Sequence, residues 1–315
     1  MSTNIEWASN PDGTGGETWN PVSGCTRASA GCDNCYAVTM TKRLAAMGQE
    51  KYQGLVNEGK SHFNGVVKCH EDALTIPLKW KKPRTIFVNS MSDLFHRDVP
   101  FSFIGQVFDV IRTTPWHTYQ VLSKRPEIMA GFTEMFYREC MAKHSDPIPN
   151  LWLGTSVENQ AAADERIPHL LRCPAAVRFL SVEPMLGAVD ISRWAYDRDA
   201  EIKSAMRGPM ALNRDQADSV TPEVELHWVI CGGESGAKAR IFDLQWARDL
   251  RDQCAAAGVP FFMKQLGSNA RSFANETQRQ LGGVYVLEHS DGKGGDMERW
   301  EEGLRVRQMP ERGKP

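Results

Sequence analysis

Six short apolar runs recur along the chain, each closing on polar residues: TIFVNSMSD (85–93), TYQVLSKR (118–125), LWLGTSVEN (151–159), VRFLSVEP (177–184), HWVICGGES (227–235) and PFFMKQLG (260–267). They are rich in β-branched and aromatic residues and too short for buried helices. Being apolar without alternation, they predict strands covered on both faces, as in a parallel sheet. The segments between them have helical spacing. FSFIGQVFDVIR (101–112) sets Phe101, Ile104, Phe108 and Ile111 at steps of three and four, and DLQWARDLRDQCAAAG (243–258) opens on a capping Asp243 and stops at Gly258. Strand followed by helix, repeated, predicts an α/β fold with a parallel sheet.

GETWNPVSG (16–24) supplies one further strand. The expected architecture is therefore a partial (open) TIM-like βα barrel with about six or seven parallel strands rather than a closed one of eight. One barrel is expected over residues 1–267, interrupted by an inserted polar segment near 188–226 and followed by a polar, Gly-rich C-terminal extension, 268–315. A chain of 315 residues buries a core of that size without disulfides.

The polar residues that close each run fall at the C-terminal ends of the strands, where parallel α/β folds bind ligands. They are Ser90, Ser92 and Asp93; Lys124 and Arg125; Ser156 and Glu158; Glu183; Gly232, Gly233 and Glu234; and Lys264 with Gln265. Any one of them has an ordinary reading as a helix cap or solvated loop residue. As a set they outline a rim. Strand-end Lys124, Arg125 and Lys264 favour an anionic ligand, and the Gly232–Gly233 pair permits close backbone approach to a flat base or a phosphate.

Composition adds limits. The formal net charge of −2 gives no overall attraction to nucleic acid or anionic membrane. No apolar run approaches a membrane span, and the N-terminal MSTNIEWASNPDG lacks the pattern of a signal peptide, so a cytoplasmic, reducing location is expected. Eight cysteines there read as thiols or ligands rather than disulfides. Cys69, Cys140, Cys173, Cys231 and Cys254 are scattered, mostly among apolar neighbours, and read as small buried hydrophobes. Cys25, Cys32 and Cys35 differ: GCTRASAGCDNC (24–35) brings three sulfurs within one loop, just after the first strand.

Two groups suit such a loop. A structural zinc needs four ligands, with Cys69 or His70 as a candidate fourth. A 4Fe-4S cluster on three cysteines leaves one iron corner open, and an open iron implies chemistry. Three clustered cysteines after the first strand of a partial βα barrel resemble the radical S-adenosylmethionine superfamily, whose usual spacing is C-x3-C-x2-C against C-x6-C-x2-C here. The chain also resembles a narrower group, the phage-associated three-cysteine-motif proteins. That likeness rests on WNPVSGCTRASAGCDNCYA (19–37), FVNSMSDLFH (87–96), QVLSKRP (120–126), WLGTSVEN (152–159), RFLSVEPMLG (178–187), WVICGGESG (228–236) and PFFMKQLG (260–267).

The resemblance implies that Cys25, Cys32 and Cys35 ligate a 4Fe-4S cluster and that S-adenosylmethionine chelates the open iron. Reduction by an external flavodoxin- or ferredoxin-like donor would cleave the sulfonium to a 5′-deoxyadenosyl radical, which abstracts substrate hydrogen. On this implication Ser90, Ser92 and above all Asp93 meet the cosubstrate amine, Lys124 or Arg125 its carboxylate, and Ser156 and Glu158 its ribose. Glu183, Glu234 and Lys264 complete the rim around it. The phage association suggests a nucleotide or nucleic acid substrate. Two other classes stay open: a zinc-stabilised nucleic-acid-binding or interaction protein, and a hydrolase or lyase using Glu158, Glu183 or Glu234 as acid and base. His96, His117 and His227 lack a ligand-spaced partner and read as surface or satisfied polar histidines, and Trp19, Trp152 and Trp228 read as packing.

Overall fold

Seven strands form one parallel sheet whose spatial order is their order along the chain: β1 (Glu17–Trp19), β2 (Thr85–Val88), β3 (Thr118–Ser123), β4 (Leu151–Ser156), β5 (Val177–Val182), β6 (Trp228–Gly232) and β7 (Phe261–Gln265). Every neighbouring pair is parallel. The computed structural model describes residues 3, 5–10, 12–140, 146–195, 226–272, 285–286 and 292–310. A strand order that never reverses puts right-handed crossovers on one face and leaves the other to curl inward. The result is a half-barrel, with β1 and β7 as its two edges.

Five helices are long enough to matter here: α1 (Tyr36–Ala46), α2 (Phe101–Thr113), α3 (Pro126–Cys140), α4 (Gln160–Leu171) and α5 (Leu244–Ala257). Ile104, Phe108 and Ile111 of α2 are fully buried as their spacing predicts, whereas Phe101, at the first helical position, is 41% exposed and Phe103 is buried instead. Asp243 caps α5 by accepting from the Gln245 amide at 2.9 Å, and Gly258 ends it with a left-handed φ of 68°.

Alternate residues of each strand feed two separate cores. Val88, Val121, Leu153, Leu180, Val229 and Met263 face the helices. Phe87, Trp152, Phe179, Trp228, Ile230 and Phe262 line the concave side. That concave face is closed from below by the N-terminal turn Glu6–Ala8. Its Trp7 ring packs edge-on against Phe87 at 4.8 Å and lies 6.1 Å and 6.3 Å from Phe179 and Trp228. Because the side-chain period of a strand is two, the next inward positions above this aromatic floor are Lys124, Ser156 and Glu158, Glu183, Gly232 and Glu234, and Lys264.

The described part of the C-terminal extension covers the β7 edge. Met263 donates to Val306 O at 2.8 Å and Gln308 donates to Phe261 O at 2.9 Å, with Trp300 and Leu304 buried against the core. Covering an edge in this way removes a template for unwanted strand pairing. Of the inserted polar segment expected near 188–226, residues 196–225 lie outside the described residues; before them Ser192–Ala195 form one helical turn. Val22–Ser23, expected to extend the first strand, instead pairs antiparallel with Lys68–Cys69 in a separate ribbon beside the cysteine loop.

Candidate metal centre

The cysteine loop leaves the barrel through Gly24. Its φ of 84° and the Val66 carbonyl, which a Cβ here would approach to 2.0 Å, leave room for glycine alone. Gly24 bridges to Ser92 as a short parallel extension of the rim, so Cys25 starts from a fixed point. Residues Ala30–Cys32 form a tight 3-10 turn, and Cys35 is the N-cap of α1. Two of the three sulfurs face N–H groups. Arg125 Nη1 lies 3.8 Å from Cys25 Sγ and the Ala28 amide donates to Cys32 Sγ at 3.5 Å, whereas Cys35 caps α1 through its backbone, its carbonyl accepting from the Val38 amide at 3.2 Å, and its sulfur makes no capping hydrogen bond.

Donors aimed at sulfur favour the thiolate and tune a bound metal centre. Burial acts against them. It pushes the Cys25 thiol up to about 12, aided by the Asp93 charge and opposed by Arg125; it also raises Cys35, against the pull of the helix amides and Lys124. Both shifts favour the thiol over the thiolate, so metal binding here would release protons.

The strand ends grip this loop from several sides. After β3, Arg125 Nη2 donates to Thr26 O and Thr26 Oγ1 at 3.0 and 2.8 Å. After β2, the His96 ring meets Thr26 Oγ1 at 2.8 Å through Nε2, and the Ser90 carbonyl accepts from the Tyr36 hydroxyl. After β4, Glu158 accepts from the Gly31 amide at 3.4 Å and pairs with Arg166 at 3.0 Å. After β6, Glu234 accepts from Asn34 Nδ2 at 2.9 Å and binds Arg240 through both oxygens, while Arg240 Nη1 donates to Ala30 O at 2.9 Å.

Most of the rim residues singled out in the sequence therefore do gather around the loop, several in tasks other than those the resemblance implies. Asp93 is buried, and its two oxygens accept from Ser123 Oγ (2.7 Å), the Phe95 and Lys124 amides and Arg125 Nη1 (2.8 Å). It anchors Arg125. Ser92 Oγ donates to Val22 O and Ser90 Oγ to Asn20 Oδ1, and the carbonyl of buried Ser156 accepts from Arg166. Gly233 is glycine because a Cβ would come within 2.3 Å of the Leu266 carbonyl, a reason internal to the fold. Over Gly232, Lys264 Nζ reaches Glu183 at 2.6 Å, with both side chains partly exposed.

Charge around the loop is arranged to keep carboxylates ionised. Burial pushes Glu158 up, but the Ser29 hydroxyl, Arg166, Lys124 and the Gly31 amide outweigh it and hold the carboxyl below its ordinary value. Glu234 behaves the same way, with Arg240 and Asn34 overcoming burial. A general acid working near neutrality needs the opposite shift, so neither carboxyl is poised for acid catalysis. Among the described residues no group of three or more His, Cys, Asp or Glu has the spacing to hold a metal ion as it stands. Of the candidate fourth zinc ligands, Cys69 is exposed opposite Val22, and His70 Nε2 is engaged by Ser23 Oγ at 2.8 Å.

A cavity of about 590 Å³ opens along the flank of the loop, between the N-termini of α3 and α4; Arg27, Ala28, Arg97, Lys124 and Glu158 are among its walls. Tyr36, the first residue of α1, is 56% exposed although it is tied to the Ser90 carbonyl.

Thr26, Asn34, His96, Arg166 and Arg240 are the site residues that sequence reasoning missed. Asn34 meets Glu234 across 200 residues, and nothing local in either segment signals the pairing. His96 was readable only as a satisfied polar histidine; it is satisfied, but buried and on the loop. His117 is buried too, its ring against Pro77 O, while His227 accepts from the Arg178 amide. Trp19, Trp152 and Trp228 are all core residues. All eight cysteines are free thiols; Cys173, Cys231 and Cys254 are buried as expected, whereas Cys69 and Cys140 are exposed, and no helix among the described residues is long and apolar enough to cross a membrane.

The chain belongs to the family described as "Protein of unknown function (DUF5131)", whose model matches residues 2–293 and so takes in the loop and all seven strands. No curated protein and no solved structure matches it.

Proposed function

We propose that this protein is a radical S-adenosylmethionine enzyme in which Cys25, Cys32 and Cys35 hold three corners of a 4Fe-4S cluster. The observation that carries the reading is the loop itself. Three cysteines stand at the C-terminal mouth of a parallel half-barrel, the Cys25 and Cys32 sulfurs face N–H donors, and residues following β2, β3, β4 and β6 hold the loop there. A scaffold that only needed a knot of zinc would not require the mouth of the barrel. The donor set fits the cluster: soft thiolates on one loop, with backbone and guanidinium N–H groups directed at sulfur. Bound there by Cys25, Cys32 and Cys35, such a cluster would supply one-electron reduction of the sulfonium of S-adenosylmethionine and, through it, hydrogen-atom abstraction from substrate.

The protein's own residues bind and shelter. Lys124, whose charge reaches both Cys35 and Glu158, is the cation available for a carboxylate beside the loop. Glu183 and Lys264 offer a paired anion and cation at the mouth, and the exposed Tyr36 ring offers a flat face. The floor of Trp7, Phe87, Trp152, Phe179, Trp228 and Phe262 excludes water from beneath. The electron comes from an external flavodoxin- or ferredoxin-like donor. Five cations, Arg27, Arg97 and Lys124 among them, line the flanking cavity against three carboxylates, Glu127, Glu158 and Glu165, and this balance supports an anionic substrate, which we assign to the nucleotides or nucleic acids.

The test is anaerobic reconstitution with iron and sulfide, followed by reduction in the presence of S-adenosylmethionine. The reading expects a brown protein that releases 5′-deoxyadenosine, with both properties lost in Cys32→Ala. A colourless protein that binds zinc tightly would instead favour a structural centre.

A further inference from the structure

The sequence offers Arg125 as a cation for a ligand carboxylate, but the fold turns it elsewhere. Its guanidinium is 11% exposed and makes four contacts in different directions: Asp93 Oδ2 at 2.8 Å, Thr26 O at 3.0 Å, Thr26 Oγ1 at 2.8 Å and Cys25 Sγ at 3.8 Å. Asp93 is itself 7% exposed, and Ser123 Oγ and the Phe95 and Lys124 amides fix it from behind. His96 closes the far side of Thr26. A planar fork held at this many points has no freedom to follow a ligand that comes and goes. Its Nη1 is shared between a buried carboxylate and a cysteine sulfur.

From this geometry we infer that Arg125 is a positioning and electrostatic residue for the metal centre. Its N–H group toward Cys25 Sγ favours the reduced, more negative state of the cluster, and Asp93 moderates that effect. The inference rests on the cluster reading above. Because the Arg125–Asp93 pair is shielded from solvent, salt screens its field only weakly, and both charges act on the cluster with opposite sign. A clamp with a merely structural role has no such sign. It would loosen in the same way whichever partner was removed.

The experiment is a potentiometric titration of the reconstituted cluster, followed by electron paramagnetic resonance, in the wild type, Arg125→Gln and Asp93→Asn. Removing the cation should lower the reduced-to-oxidised ratio at a fixed applied potential about tenfold, a shift of about 59 mV for a one-electron couple. Removing the anion should raise that ratio. Shifts of the same direction, or none, overturn the assignment and leave the cluster reading intact. So does loss of the cluster from both variants while the wild type loads, since that marks a structural clamp. Should Arg125→Gln alone fail to fold, the sign for Asp93→Asn decides. A wild type that takes up no iron–sulfur centre overturns the underlying reading instead.

Discussion

Replacing Glu234 by Gln asks how firmly the cysteine loop is held to the barrel. The carboxylate accepts from Arg240 Nη2 at 2.6 Å, Arg240 Nε at 3.1 Å, the Arg240 amide at 2.9 Å and Asn34 Nδ2 at 2.9 Å. An amide of the same shape keeps one acceptor oxygen and turns an NH2 toward the guanidinium. Breaking a fully buried pair costs about 3–5 kcal/mol. Glu234 is 6% exposed but Arg240 is 32% exposed, so water recovers part of the loss and about 2 kcal/mol is the expected cost. At roughly 2 °C per kcal/mol for a chain of this size, the melting temperature at neutral pH should fall by about 4 °C.

The pH dependence gives the sign. The folded carboxyl lies below its ordinary value, so its contribution is complete above the unfolded value of about 4.3 and is lost as pH falls through the folded one. The gap between wild type and Glu234→Gln, measured by urea unfolding, should therefore be full at neutrality and close on acidification. Proteolysis within residues 24–36 should quicken in the variant over the same range. A variant as stable as wild type at neutral pH, or a gap indifferent to acid, refutes the reasoning.

Arg166→Met leaves Glu158 buried without its cation and should cost about 3–5 kcal/mol, which pairing it with Glu158→Gln should partly restore in a double-mutant cycle by chemical denaturation. Trp7→Ala empties the space between Phe87, Phe179 and Trp228 and should destabilise by about 3–5 kcal/mol in the same assay, while leaving the loop's iron uptake in place below the midpoint. Burial and the Arg178 charge lower His227 to about 4, and its Nδ1 accepts from the Arg178 amide. The stability held by its neutral form is complete above about 6.5 and is lost as pH falls toward the folded value, by about 1–2 kcal/mol after discounting its partial exposure. His227→Asn should flatten that part of the stability profile. Gly24→Ala sets a Cβ against Val66 O and should abolish metal uptake with far less effect on the far-ultraviolet circular dichroism spectrum.

Sheet and helices were legible because apolar runs without alternation have few other uses in a parallel fold. Thr85, Thr118, Leu151 and Val177 open both the predicted runs and the observed strands. The predicted runs overshoot at their C-terminal ends, since the polar residues quoted with them belong to the loops. Lys124, Glu158, Glu183, Glu234 and Lys264 do lie at or just past the C-terminal strand ends, as their places in the runs predict. What each of these residues touches was not legible. Asp93 looks like an open carboxylate in NSMSD, but Ser123 and Arg125, thirty residues on, consume it. Likewise, Gly233 reads as a place for a ligand, whereas the Leu266 carbonyl fills it. Partners that arrive from remote strands leave no local pattern.

If the three thiols at the barrel mouth hold an iron–sulfur cube with one corner free, metal content shows it. Iron, acid-labile sulfide and zinc are quantified in anaerobically reconstituted protein and in Cys25→Ala, Cys32→Ala and Cys35→Ala. The wild type should carry about four iron and four sulfide per chain and give a reductive burst of 5′-deoxyadenosine, with both lost in every variant. One tightly held zinc without sulfide, or iron uptake indifferent to all three substitutions, refutes the cluster.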